Sequence, residues 1–140
     1  LLDEALLFRI RRLDPPARDL IELLCVAGTP LAQTTAARAT QLDPEELGRT
    51  ASFLRAASLL RTGGSAGTLE TYHNRIREAV LQNLPAEVLA RHHGRLADAL
   101  ESTQTSTQNP LLLVRHLEAA GELERAAQHA RKAADLAKKI

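Results

Sequence analysis

Methionine and tryptophan are absent from this sequence, and two phenylalanines and one tyrosine bring aromatics to only 2%. A core without large rings has to be assembled from Leu, Ala, Ile and Val, which suits closely packed helices better than an aromatic-rich β-sandwich. A single cysteine, Cys25, excludes an internal disulfide; its setting in Leu23-Leu24-Cys25-Val26 marks it as a small core residue and fits a reducing compartment. No apolar run approaches the roughly 20 residues that span a bilayer. Asp3, Glu4 and Arg9 interrupt the first segment, so a signal peptide is not expected either, and the chain reads as cytoplasmic with no membrane partner. Neither sign of charge prevails. Eighteen Lys and Arg stand against 17 Asp and Glu, a formal charge of +1 that is too near neutral to imply nucleic acid as an obligate partner.

What is present is enough to fold. At 140 residues and 44% hydrophobic content, the chain can bury one moderate core, or a small domain with part of a second. It starts without Met and stops inside a helical pattern running from Ala133 to Ile140, which suggests a piece of something longer. Asp3 can cap a first helix bearing Leu6, Leu7, Ile10 and Leu13, and Asp14-Pro15-Pro16 supplies the start of a second. That second helix runs through Leu20, Ile21, Leu24 and Cys25 to a stop at Gly28, with Thr29-Pro30 reinforcing the break. A short Thr-rich helix is expected around 33–40. Asp43-Pro44-Glu45-Glu46 starts the next, whose stripe is Leu47, Ala51, Leu54 and Ala57 or Ser58.

Leu59 to Thr62, Gly63 to Gly67 and Thr68 to Tyr72 read as strand, turn and strand. Immediately after them His73-Asn74-Arg75-Ile76-Arg77-Glu78-Ala79-Val80 opens an amphipathic helix with Ile76, Ala79, Val80 and Leu84 on one side. A histidine thus sits at the junction of a β-hairpin and a helix. The fold expected is mainly α: a winged helix-turn-helix with a small hairpin over 1–101, a polar linker over 102–109, and a further pair of antiparallel helices over 110–140. Pro85 begins a helix through Val88, Leu89, His92, Leu96 and Leu100; Asn109-Pro110 begins another through Leu113, Leu117 and Ala120; Gly121 ends it. Leu123, Ala126, Ala127, Ala130, Ala133 and Ala134 then form a small-residue face that lets two helices approach closely.

The last pair resembles a tetratricopeptide repeat on Ala120-Gly121-Glu122-Leu123-Glu124-Arg125-Ala126-Ala127 and on Ala133, with His129 and Ala130 where tyrosines are common. One repeat cannot bury both of its faces, so further repeats are expected to follow. The ordered series Leu2-Asp3-Glu4-Ala5-Leu6, Leu13 to Arg18, the wing, His73 to Val80 with Leu84-Pro85, and His116-Leu117-Glu118-Ala119-Ala120-Gly121 resembles, over nearly the whole chain, the winged-helix and early repeat region of STAND-type signal-transduction ATPases. Such proteins occur with bacterial serine/threonine kinases, cyclases and LuxR-type transcription regulators. The resemblance implies an AAA-like domain upstream, binding ATP or ADP, and helical repeats downstream that recognise a ligand or protein partner. It also implies that the histidine after the wing contacts the β-phosphate of ADP in the closed state, a role carried over to His73. The family's His-Asp pair is His73-Asn74 here, so a negative charge beside the imidazole is missing. Arg75 and Arg77 add positive potential as further phosphate-sensing candidates.

No Gly-x-x-x-x-Gly-Lys-Ser/Thr loop occurs, and Gly63-Gly64 with Gly67 lacks both the lysine and a following helix, so no cofactor is expected in this chain itself. As an alternative, a DNA-binding winged helix would present Arg49, Thr50, Ser52 and Arg55 from the helix that starts at Asp43, although Glu45 and Glu46 at its leading end would repel phosphates. A second alternative is a scaffold of helical repeats for protein–protein interaction. The five histidines show no zinc pattern, because His92 and His93 diverge on a helix and no Cys-x-x-Cys accompanies them. Arg91, His92, His93 and Arg95 could make a docking patch for an acidic partner, or simply a solvated face with His92 partly buried. Without a Gly-x-Ser-x-Gly or comparable grouping, the chain is not expected to be an enzyme.

Overall fold

A computed structural model describes residues 2–63, 67–103 and 109–139, apart from the side chain of Leu2. The chain is mainly helical with one small antiparallel sheet. Its elements are α1 (Leu2–Arg11), α2 (Pro15–Ala27), β1 (Leu31–Ala32), α3 (Gln33–Thr40), α4 (Pro44–Ala56), β2 (Leu60–Thr62), β3 (Thr68–Thr71), α5 (Asn74–Asn83), α6 (Ala86–Glu101), α7 (Pro110–Ala119) and α8 (Leu123–Lys138). They fall into two compact units, Leu1–Pro85 and Ala86–Ile140. The units part at Pro85, before α6, rather than at the polar run 102–109; of that run, 104–108 lie outside the described residues.

The N-terminal unit is built around α2. Residues Leu20 to Ala27 are buried all round the helix, as befits a segment apolar on every side, and α3, α4, α5 and β3 pack against it. Glu22, the one acid in that run, is held by Arg18 at 3.0 Å, four residues away. The helix stops at Gly28, whose φ of +70° is the left-handed conformation that glycine adopts at least cost, and whose N–H returns to the carbonyl of Leu24. The start differs from expectation. Asp14 occupies the N-cap position, yet its side chain accepts no helix N–H. Asp3 likewise lies inside the first turn of α1 and not at a cap, since that helix already begins at Leu2. Asp43 behaves as expected, its Oδ1 accepting the Glu46 N–H at 2.8 Å.

The hairpin forms with Leu60↔Thr71, Arg61↔Glu70 and Thr62↔Leu69 opposed. Its tip, 64–66, lies outside the described residues. A third strand, β1, was not foreseen. It pairs with β3 through Leu31↔Leu69 and Ala32↔Thr68, giving the order β1-β3-β2. Two residues are too few for an alternating pattern to register, and Leu31 gains its strand character only from burial beside Leu69.

In the C-terminal unit α7 packs between α6 and α8 around Ala97, Leu100, Leu113, Val114, Leu117 and Ala126. Asn109 caps α7 by accepting the Leu112 N–H at 3.3 Å, and Gly121, with φ +83°, ends the turn after it. The expected small-residue face of α8 is mostly open. Only Ala126 is buried, Ala133 is half-buried and Leu123 is 67% exposed, because among the described residues α8 has a helical neighbour on one side only.

Candidate functional site

Two of the three expected sensor residues, His73 and Arg77, line a cleft of about 420 Å³ in the N-terminal unit, where the end of α2, the hairpin and the start of α5 converge. Gly28, Thr29 and Pro30 form one wall, Arg61 and Glu70 another, and Tyr72, His73, Asn74 and Arg77 the third.

His73 is the N-cap of α5. Its backbone is extended, its carbonyl accepts the Ile76 N–H at 3.0 Å, and its Nδ1 accepts the Arg75 N–H at 3.2 Å. A nitrogen that accepts a bond in a neutral ring carries no proton, so the proton resides on Nε2. The cap thereby fixes the tautomer and leaves an Nε2–H donor on an exposed ring, beside the partially positive end of a helix.

The two arginines diverge from it. Arg75 does not line the cleft; its Nε bonds Asp3 Oδ1 at 3.2 Å, tying α5 to α1 across a second, more apolar hollow with Leu6 and Ile76. Arg77 does line the cleft but is engaged structurally. Its Nε donates to the Cys25 carbonyl at 3.1 Å, and its guanidinium lies over Gly28, where an added Cβ would come within 3.0 Å of Nη2. Arg77 therefore neutralises the negative end of α2 and clamps α5 to it. Cys25 lies just beneath. Burial pushes its thiol up to about 12, with Arg77 only partly opposing the shift, so it stays protonated and acts as the small core residue expected.

Sequence reading missed Arg61 and Tyr72. Arg61 stands directly opposite Glu70 and bonds it at 2.8 Å, a pairing that the hairpin register would have revealed. Tyr72, 52% exposed at the mouth, needed the cleft itself to be noticed.

The residues of the DNA-binding alternative sit on α4, with Arg49 bonded to Glu45 at 3.3 Å and Ser52 and Arg55 exposed. The four residues considered as a docking patch separate: Arg91 is exposed, His92 is 1% exposed, and His93 is half-buried with its Nδ1 2.8 Å from Nδ1 of His116. Among the described residues no group of three or more His, Cys, Asp or Glu is placed to hold a metal ion, and no helix is long and apolar enough to cross a membrane. No family model, curated protein or solved structure matches this chain.

Proposed function

We propose that this chain is the relay region of a STAND-type signal-transduction ATPase: a winged helix-turn-helix that senses the phosphate of ADP held by an upstream domain, followed by the first tetratricopeptide-like helices. The observation that carries the reading is the capping geometry of His73, which fixes its proton on Nε2 and offers that donor at the mouth of a cleft. The order of helices and strands and the β1-β3-β2 sheet are what a winged helix needs, and the α7–α8 pair turning at Gly121 suits a repeat. Within this reading His73 is the sensor, and Arg77 holds it in place by clamping α5. Arg75 orients α1 instead of touching phosphate. The chain itself is a regulatory arm and not a catalyst, and its partners are the flanking modules of the same protein.

The test uses His73→Asn in the protein carrying its upstream domain. Asparagine keeps a good cap and removes the Nε2 donor, so folding should persist while ADP is released about tenfold faster, the worth of one hydrogen bond to a charged group. Unchanged ADP release, or a coding sequence with no phosphate-binding loop ahead of Leu1, would sink the proposal.

A further inference from the structure

The C-terminal unit carries two facing histidines, one buried and one half-buried, that the proposed sensor does not use. His93 on α6 and His116 on α7 meet through like atoms, Nδ1 to Nδ1, at 2.8 Å. Their ring centroids are 5.1 Å apart, a separation close to the N···N distance plus the two ring radii, so each ring points its Nδ1 almost straight at the other. Such a contact is a hydrogen bond only if one of the two nitrogens carries a proton and the other does not. A first added proton can land on Nε2 of the donor ring and leave the bond intact as a charge-assisted one. A second must occupy the lone pair that accepts the bond. It would then set two imidazolium rings head to head beside the apolar core of Leu113 and Leu117.

We propose that the His93–His116 couple is an acid-sensitive lock between α6 and α7, closed with up to one added proton and opened by the second. His116 is only 5% exposed and His93 half-buried, so His93 takes the first proton and donates from Nδ1 to neutral His116. The charges around the couple do nothing to stabilise the doubly protonated form. On α6, His92 adjoins His93 and has Arg95 Nη1 at 3.4 Å from its own Nδ1. Of the three acids of that helix, Glu87 lies in its first turn, while Asp98 and Glu101 are taken up by Arg125 of α8, and Glu101 also has His129 of α8 at 3.7 Å; on α7, His116 is flanked in sequence by Arg115 and Glu118. Burial, then His93, holds His116 down at about 4; burial, then His92, lowers His93; no carboxylate acts on either ring.

The sign follows. Between the ordinary histidine value of 6.5 and about 4, the unfolded chain binds a proton at residue 116 that the folded chain refuses, so the lock is at full strength above that window and weakens as pH falls through it. Long-range 15N–1H spectra of the 140-residue chain read the tautomers and titration of each ring directly, and amide exchange reads the helices. The expected result is a His116 that stays neutral well below pH 6, with exchange at Leu113 and Leu117 accelerated at least about tenfold, beyond its intrinsic pH dependence, as His116 titrates. His116→Gln, which keeps a hydrogen-bonding side chain without a titrating ring, should erase that acceleration; should that variant fail to fold, His93→Gln makes the same test from α6. A His116 titrating at the ordinary value, or an acid opening that survives in the glutamine variant, would overturn the inference.

Discussion

The two units solve the burial of polar groups in opposite ways. In the N-terminal unit the buried polar residues are Thr35 and Glu22, the latter held by Arg18, and the unit's only histidine, His73, is on the surface. The C-terminal unit holds the other four of the five histidines, with His92 and His116 buried. The first core is aliphatic apart from Thr35 and from Glu22, which is tied to Arg18, and no histidine enters it. The second is braced partly by imidazoles, whose bonding depends on where the protons are. Charge at neutral pH does not distinguish the units; what does is whether a titratable ring faces the core.

The largest effect that would sharpen this contrast comes from Leu54, fully buried on α4 in the N-terminal unit. Leu54→Ala should destabilise that unit by about 2–5 kcal/mol, the usual range for a leucine truncated inside a packed core. Because no histidine enters that core, chemical denaturation at pH 7 and at pH 5 should give the same loss. A loss that changed by more than about 1 kcal/mol between those values would show that the N-terminal core is coupled to a titrating group and would break the comparison.

A smaller effect tests the clamp on α5. Gly28→Ala forces a side chain into the left-handed region, which costs on the order of 1 kcal/mol. It also sets a Cβ 3.0 Å from Arg77 Nη2, at the mobile end of a long side chain that can yield. About 1–2 kcal/mol in total is expected, and combining the change with Arg77→Ala should remove the steric part while leaving the backbone part. Additivity of the two substitutions in a double-mutant cycle would mean that Arg77 does not rest on Gly28.

Which of these features could be read from residues alone depended on how local their causes are. Helix starts at 15, 44 and 110 follow from Asp or Asn before Pro, stops at Gly28 and Gly121 from a single residue's freedom at positive φ, and the hairpin from two short strands around a glycine-rich turn. His73 at the start of α5 was legible for the same reason. The clamp was not, because Arg77 and the Cys25 carbonyl lie 52 residues apart, and an arginine beside a presumed phosphate site looks the same in sequence whether it faces a ligand or a helix end. Nor was the histidine couple, whose partners are 23 residues apart on different helices. Helical periodicity indicated that His92 and His93 diverge, but not that His93 would find an imidazole waiting.

The smallest effects compare a motif that recurs in both units, an Asx residue before proline at a helix start. Asp43 accepts the Glu46 N–H at 2.8 Å and is charged; Asn109 accepts the Leu112 N–H at 3.3 Å and is neutral; Asp14 makes no such bond. A carboxylate gains from both the hydrogen bond and the positive end of the helix, an amide from the bond alone, and an unbonded carboxylate from the field alone. Replacement by alanine should therefore cost about 1 kcal/mol or somewhat more at Asp43, about 0.5–1 at Asn109, and no more than about 0.5 at Asp14. Salt separates the contributions: raising the ionic strength should shrink the Asp43 and Asp14 costs through screening while leaving Asn109 unchanged. Equal losses at Asp14 and Asp43 would mean that the field, and not the bond, sets the value of these caps, and the difference in geometry between them would carry no energy.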